Sequence, residues 1–438
     1  MRALARFCIC LPAIAVLAWA LPALYDTALL KPLDKTHIFY SPVLKQCIYT
    51  EQIRGYDAQA AEKSEGHHAD IVYKDEKGRY YDRLAFEAAL PFIYFRNMEM
   101  RGLLPLNLEG RILDRPAIER ARRVLELPSR HLDGKRPPQN TLPLLEANPG
   151  QAALLYPTDR FRLTAQGMDF IHADTNAPET NLARIFTSAL AEQGFLFPAR
   201  HVGGNFTTFK PYESGIFLVD AQGRLFHLLR RDGRPQIRKP PLPEGLVPRH
   251  VLVSESRERL WLGLLLDSQD RLWLIRQDDL ALIGLNVPDY RPDSMDCKLI
   301  FDPLYVTVVT SDASRVRATV FDLPPADTPH GEIHEPFHSF SHSMSRAAES
   351  WQSNLSATLF PFRLIFGSED SALLLPHIAF SRHWSRNALP FCLVLAALYA
   401  FSLHRSSFSR ARLLAETTLV LAAGIHALLA LALLREKE

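Results

Sequence analysis

The sequence predicts an α+β protein. A β-rich exported region, propeller-like or a sandwich, carries a helical insertion, and it is joined to an N-terminal transmembrane anchor and a C-terminal two-helix transmembrane hairpin. Three observations carry this reading. Both ends of the chain are apolar enough for lipid, whereas residues 31–387 are not. Arginines flank the apolar runs in a pattern that sets topology. A strand–turn–strand motif also recurs at nearly constant spacing between residues 215 and 322.

Residues 7–30 hold a single charge, Asp26, and residues 388–403 and 413–434 form two more apolar runs joined by a basic loop. A helix crosses a bilayer core with about 18–25 such residues. Arg2 and Arg6 precede the first run, and Arg405, Arg410 and Arg412 separate the last two. Basic residues stay on the cytoplasmic side. Residues 404–412 are therefore expected in the cytoplasm of a bacterium and residues 31–387 in its periplasm, with the chain held in the inner membrane. Ala18-Trp19-Ala20 also fits a signal-peptidase site. The apolar run continues through Leu21, Leu24, Leu29 and Leu30, however, and its length favours a retained anchor.

A net charge of +2 gives no basic field for nucleic acid. Of the five cysteines, Cys8, Cys10 and Cys392 fall in the predicted spans. Cys47 and Cys297 lie in the exported region, where an oxidising compartment would allow a disulfide between them. The alternative is two separate buried thiols. No CxxC motif is present.

Residues 31–81 read as strands: His37–Glu51 is rich in Ile, Tyr, Val and Phe, and a hairpin follows around the turn Asp75–Arg79. Residues 82–200 read as a helical insertion. Its first helix, Leu84–Arg101, has Asp82 as cap, Gly102 as stop and a kink at Pro91. The second is Pro116–Leu127 after Asp114, with Ile118, Ala121 and Leu125 on one stripe. The third, Leu182–Gln193, is capped by Thr180 or Asn181 and stopped by Gly194.

Residues 201–345 read as β repeats. Asp220, Arg224 and Leu225 in GIFLVDAQGRLFHLL match Asp267, Arg271 and Leu272 in GLLLDSQDRLWLIRQDD, 47 positions later. A weaker copy places Asp312 another 45 positions on. This period suits one four-stranded propeller blade, and an antiparallel sandwich is the alternative. If the β-region closes on itself, His37–Glu51 is expected to pair with the strand near Cys297–Ile300. Residues 346–387 form a membrane-proximal segment containing LFPFRLIFG and LLLPHIAF, both too short to span.

The chemistry-bearing candidates are few. His330, His334, His338 and His342 recur every fourth residue, and His334–His338 spells H-E-x-x-H. In zinc proteases a helix turns both histidines of this motif to one face. Pro336 inside it and Gly331 before it oppose that helix. A looser metal site in this tract, joined by His67, His68 and Asp70, remains an expectation. Lys210, Tyr212 and Glu213 read as solvated turn residues, with the lining of a pocket as the alternative. Walker, dinucleotide-binding and nucleophile-elbow motifs do not occur, and no catalytic residue is assigned. His426 and Glu416 are ionisable groups within or near the last span, where Ala423 and Ala427 allow close helix contact.

YSPVLKQ, GNFTTFKPYESGIFLVDAQGRLFHL and LFPFRLIFG before a membrane hairpin resemble an uncharacterised bacterial family of membrane proteins with a domain of unknown function. That resemblance, through most of residues 37–380, implies the company of ABC-type transporter components, a permease or an ATPase subunit, and assigns no cofactor. The leading expectation is thus a non-enzymatic accessory membrane protein. An exported metal-binding module and a membrane-tethered hydrolase are the alternatives.

Overall fold

The computed structural model describes residues 2–29, 36–52, 71–133, 135, 141–312, 315–344, 351–366, 376–381, 384–404 and 410–434. The chain divides into two units, Lys35–Ser343, and Met1–Asp34 with Met344–Glu438.

Four antiparallel meanders make up the first unit's main sheets, and none closes into a barrel. The first sheet orders Thr36–Ser41, Gln46–Gln52, Ile71–Asp75 and Tyr80–Tyr81. The second runs His201–Gly203, Ile216–Val219, Leu225–Arg231 and Arg234–Arg238. The third runs Pro248–Val253, Trp261–Asp267, Leu272–Arg276 and Leu282–Leu285, with Ile333–His334 added in parallel. The fourth runs Asp296–Phe301, Tyr305–Ser311, Arg315–Asp322 and His338–Ser343. Central strands such as Trp261–Asp267 are buried on both faces, which is why they read as unbroken apolar runs.

Neighbouring sheets share cores. Phe217, Val219 and Leu225 meet Val251, Leu262 and Leu265 between the second and third sheets. Trp261, Leu264 and Leu266 meet Leu299, Val306 and Val308 between the third and fourth. Tyr40 of the first sheet stands edge-on to Tyr305 at 5.1 Å and to Phe337 at 5.6 Å, which brings the first sheet against the fourth. Burial of these apolar faces supplies the main stabilising term, at about 25 cal/mol per Å².

The three repeated hairpins form as the sequence predicts, and one carboxylate explains each turn. Asp267 is fully buried and accepts from the backbone N–H of Gln269 and of Arg271, both at 2.9 Å. It also accepts from Arg271 Nε at 2.7 Å and Trp273 Nε1 at 3.0 Å. Asp220 repeats this with Gln222, Arg224 and the Arg224 guanidinium, and Gly223 takes the positive φ of 79°. In the third hairpin Asp312 accepts from the Arg315 N–H at 2.8 Å. All three lie in the second turn of their sheet. Asp75 builds the same clasp with Lys77 and Arg79, but in the third turn of the first sheet, so it falls outside the period.

Two expectations are overturned together. The helix after Asp114 ends at Ala121, and Arg123–Leu127 is a strand whose residues alternate buried and exposed. That strand pairs with Asp296–Phe301 and occupies the edge on which His37–Glu51 was expected. Leu125 satisfies both helical and strand spacing, and the alternation of Arg123, Leu125 and Leu127 toward a core decides for the strand. The region 82–200 is also not wholly helical. It holds the hairpin Asp159–Leu163 with Met168–His172, whose Phe161, Met168 and Phe170 pack with Phe186 and Leu190 of helix Thr180–Glu192. The first predicted helix is two, Arg83–Ala89 capped by Asp82 and Phe95–Met100, broken around Pro91.

The second unit contains three helices long and apolar enough to cross a membrane, Ile9–Leu29, Arg386–Leu403 and Arg412–Leu433. Ala423 and Ala427 are buried with Cys10, Ile14, Ala396 and Val420, as their small size predicts. The short apolar segments form the hairpin Phe362–Phe366 with Pro376–Phe380. His426 is wholly buried; its Nε2 lies 3.1 Å from the carbonyl oxygen of Phe362. Glu416 accepts from Tyr399 Oη at 2.8 Å and Arg412 Nε at 3.0 Å. Arg363 pairs with Asp26 at 2.6 Å.

Candidate functional site

Hydrogen bonds gather the first turn of every main sheet at one end of the β-unit. Lys45, in the first turn of the first sheet, donates to Tyr305 Oη at 2.8 Å beside the first turn of the fourth, and both bond to Glu109. Arg123 reaches the carbonyl oxygens of Ser254 and Trp261 around the first turn of the third sheet. Its guanidinium is buried with no acidic hydrogen-bond partner among the described residues, and this desolvation lowers its pKa to about 10.

Between the second and third sheets lies a buried ion cluster. Lys210 Nζ donates to Asn205 O at 2.6 Å and Glu255 Oε1 at 2.8 Å and pairs with Glu213 Oε2 at 2.8 Å. Asn205 Nδ2 and Ser214 Oγ donate to Glu255 at 2.8 and 2.7 Å, and the Gly215 N–H donates to Glu213 at 2.6 Å. Burial pushes the Glu213 carboxyl up against the opposing pull of Lys210. Lys210 and Glu213 are thus interior groups and not the solvated turn residues expected. Each side chain is only 2% exposed. The geometry makes the cluster a brace between two loops, since every Lys210 hydrogen is committed and Glu255 is saturated.

At the opposite end, where the second turns lie, Asp133, His201 and His250 bring their donor atoms within 4.8 Å of one another. His201 and His250 stand on the first strands of adjacent sheets, their rings 4.5 Å apart. The Val251 N–H donates to His201 Nε2 at 2.9 Å, so Nδ1 carries the proton and donates to Asp133 Oδ2 at 2.5 Å. Burial raises the Asp133 carboxyl, but the hydrogen bonds from His201 and His250 outweigh it and hold the group well below the usual carboxylate range. With both its ring nitrogens engaged, His201 acts as a clasp between strands and leaves no nitrogen for acid–base work on a ligand.

The predicted histidine tract is extended, not helical, and the structure does not bring its four members together. His330 Nδ1 accepts from the Leu282 N–H at 3.1 Å. His334 lies in the parallel strand, 3.7 Å from Glu332. His338 and His342 share one face of the last strand, but four residues there span about 13 Å, too far for one ion. His338 Nε2 meets Glu76 Oε2 at 3.0 Å, and His342 Nε2 meets Glu51 Oε1 at 3.4 Å. Cys47 and Cys297 are both free, buried thiols, so the predicted bond is not made. Burial raises both, Cys297 to about 12. His67, His68 and Asp70 lie outside the described residues.

One member of each predicted set does converge: Cys47, Glu76 and His338 place their sulfur, oxygen and nitrogen atoms within 4.8 Å of one another at the first-turn end. Glu76 gave no signal in the sequence beyond its place in the recurring Asp75–Arg79 turn.

No curated protein matches the chain. A family model described as a domain of unknown function, DUF4857, matches residues 37–321, from the second residue of the first strand to the next-to-last residue of the third repeated hairpin. The match spans most of the chain, and the protein belongs to that family.

Proposed function

We propose that the β-unit is a periplasmic, propeller-like binding module, held at the bacterial inner membrane by three spans and serving as an accessory to an ABC-type transporter. One observation carries this reading: hydrogen bonds tie loops from four sheets together at one end, which holds them as one braced rim for a partner to dock on. Three further points support it. The second and third sheets share a core, as do the third and fourth, and the Tyr40 ring contact seats the first sheet on the fourth, the serial packing that blades have. The arginines between the last two spans favour a cytoplasmic loop. The sequence resemblance points to transporter partners.

The test is purification from native membranes in mild detergent, with mass spectrometry of co-purifying chains. A stoichiometric permease or ATPase subunit is expected, and its recovery should fall when loop residues at the first-turn end are changed. A partner-free protein recovered from several detergents would refute the accessory role. Reporter fusions at residue 344 and within 405–409 test the topology, with opposite signals expected.

A further inference from the structure

We propose that Cys47, Glu76 and His338 form a binding site for a borderline divalent transition ion of the zinc class. The inference is independent of the transporter reading, and it differs from the metal site expected in the histidine tract.

The three residues come from separate parts of the chain, the start of a strand, a hairpin turn and the start of the last strand. Their placement is fixed by the backbone. The Glu76 N–H donates to Cys47 O at 3.1 Å, while the Cys47 N–H donates to Glu76 Oε2 at 3.3 Å. These reciprocal bonds lock the carboxylate beside the thiol. Asp75, wholly buried, holds the turn that carries Glu76. His338 is set by the ladder pair with Val320, and its ring lies against Tyr40 at 5.6 Å.

The donor set is one thiol, one imidazole and one carboxylate. Zinc accepts all three, at about 2.0–2.3 Å. Hard ions such as magnesium and calcium favour oxygen alone. Three protein ligands leave one tetrahedral position, and the site is open enough for a water there: Cys47 is buried, but Glu76 and His338 are 20% and 26% exposed. Before binding, the His338 tautomer with its proton on Nε2 donates a hydrogen bond to Glu76 Oε2 at 3.0 Å. On binding, that proton moves to Nδ1 by tautomeric exchange through solvent, so Nε2 can coordinate. The thiol loses one proton to solvent as the metal–sulfur bond forms, and no oxidant or reductant is involved.

The experiment uses the full chain in detergent, reduced and stripped with chelator, titrated with Co²⁺ and then with Zn²⁺. Expected are a near-ultraviolet sulfur-to-cobalt charge-transfer band that saturates at one ion per chain, and its loss on adding Zn²⁺. Cys47→Ser should abolish the band, and Glu76→Gln and His338→Gln should each weaken binding about 10-fold or more. Cys297→Ser and His334→Gln should leave it unchanged. If Cys47→Ser does not fold, the Glu76 and His338 variants, at partly exposed positions, decide the matter. A wild-type chain without the band, a band lost with Cys297→Ser, or full affinity in both Gln variants would overturn the proposal.

Discussion

Replacing Asp267 by alanine tests whether one buried carboxylate holds the recurring turn. Four donors converge on it: the N–H groups of Gln269 and Arg271, the Arg271 guanidinium and the Trp273 indole. A hydrogen bond to a charged acceptor contributes about 1.5–3 kcal/mol net. Removing the carboxylate does not forfeit four such terms. The Arg271 side chain is 39% exposed and, like the turn amides, can turn to water. The indole N–H cannot, because Trp273 is 2% exposed, and leaving it unpaired costs about 1–3 kcal/mol. Adding the loss of turn rigidity, Asp267→Ala should destabilise the β-unit by about 3–5 kcal/mol. Asp267→Asn keeps one acceptor oxygen for the two amides and should cost about half as much. Arg271→Met removes only a partly exposed ion pair and should cost about 1 kcal/mol or less. Urea unfolding followed by tryptophan fluorescence measures all three. A loss below about 1 kcal/mol for Asp267→Ala, or equal losses for the alanine and methionine variants, would refute the reasoning.

Other outcomes follow from the same geometry. The hydrogen bond from His342 holds Glu51 down to about 2, with Lys74 also opposing the effect of burial. A carboxyl lowered on folding stabilises above its unfolded value near 4.5, and this stabilisation fades as pH falls toward 2. Glu51→Gln should therefore cost up to about 3 kcal/mol at neutral pH and flatten the acid limb of stability, and an unchanged limb in an acid titration would contradict it. Gly203→Ala puts a methyl group onto the carbonyl of Val251 on the adjacent sheet, and should lower stability by about 1–3 kcal/mol or more in the same urea assay. Ala427→Leu overfills the contact with Cys10, Ile14 and Val420 and should lower the thermal midpoint in detergent, whereas Leu398→Ala, at a position 62% exposed, should not.

How far the sequence discloses this protein depends on the range of the interactions involved. The spans and hairpins are legible because their signals are local. An apolar run needs no partner, and Asp267 meets donors only two to six residues away. Strand Arg123–Leu127 hides in a helical pattern because its partner, Asp296–Phe301, lies far along the chain while Leu125 fits a helical stripe. The same limit hides the interior character of Lys210, whose partner Glu255 is 45 residues on. His338 and Cys47 were each visible as chemical candidates. Nothing in their spacing announced a common neighbour in Glu76, 262 residues from His338.

The placement of the β-unit's two outermost strands has a mechanical consequence. Among the described strands, Thr36–Ser41 has one ladder partner, Gln46–Gln52, and His338–Ser343 has one, Arg315–Asp322. The chain enters at Thr36 and leaves at Ser343, and the meeting of His342 with Glu51, whose ladder partner is Thr36, puts both exits at the same end. Tension applied through those exits would load the pairs Thr36–Glu51 and Ser343–Arg315 first, then open each ladder one rung at a time, like a zipper. Rungs broken in sequence yield at far lower force than rungs sheared together. His338 is the last residue of its strand to come free, so a moderate pull would strip His342 from Glu51 while the contact between His338 and Glu76 still held.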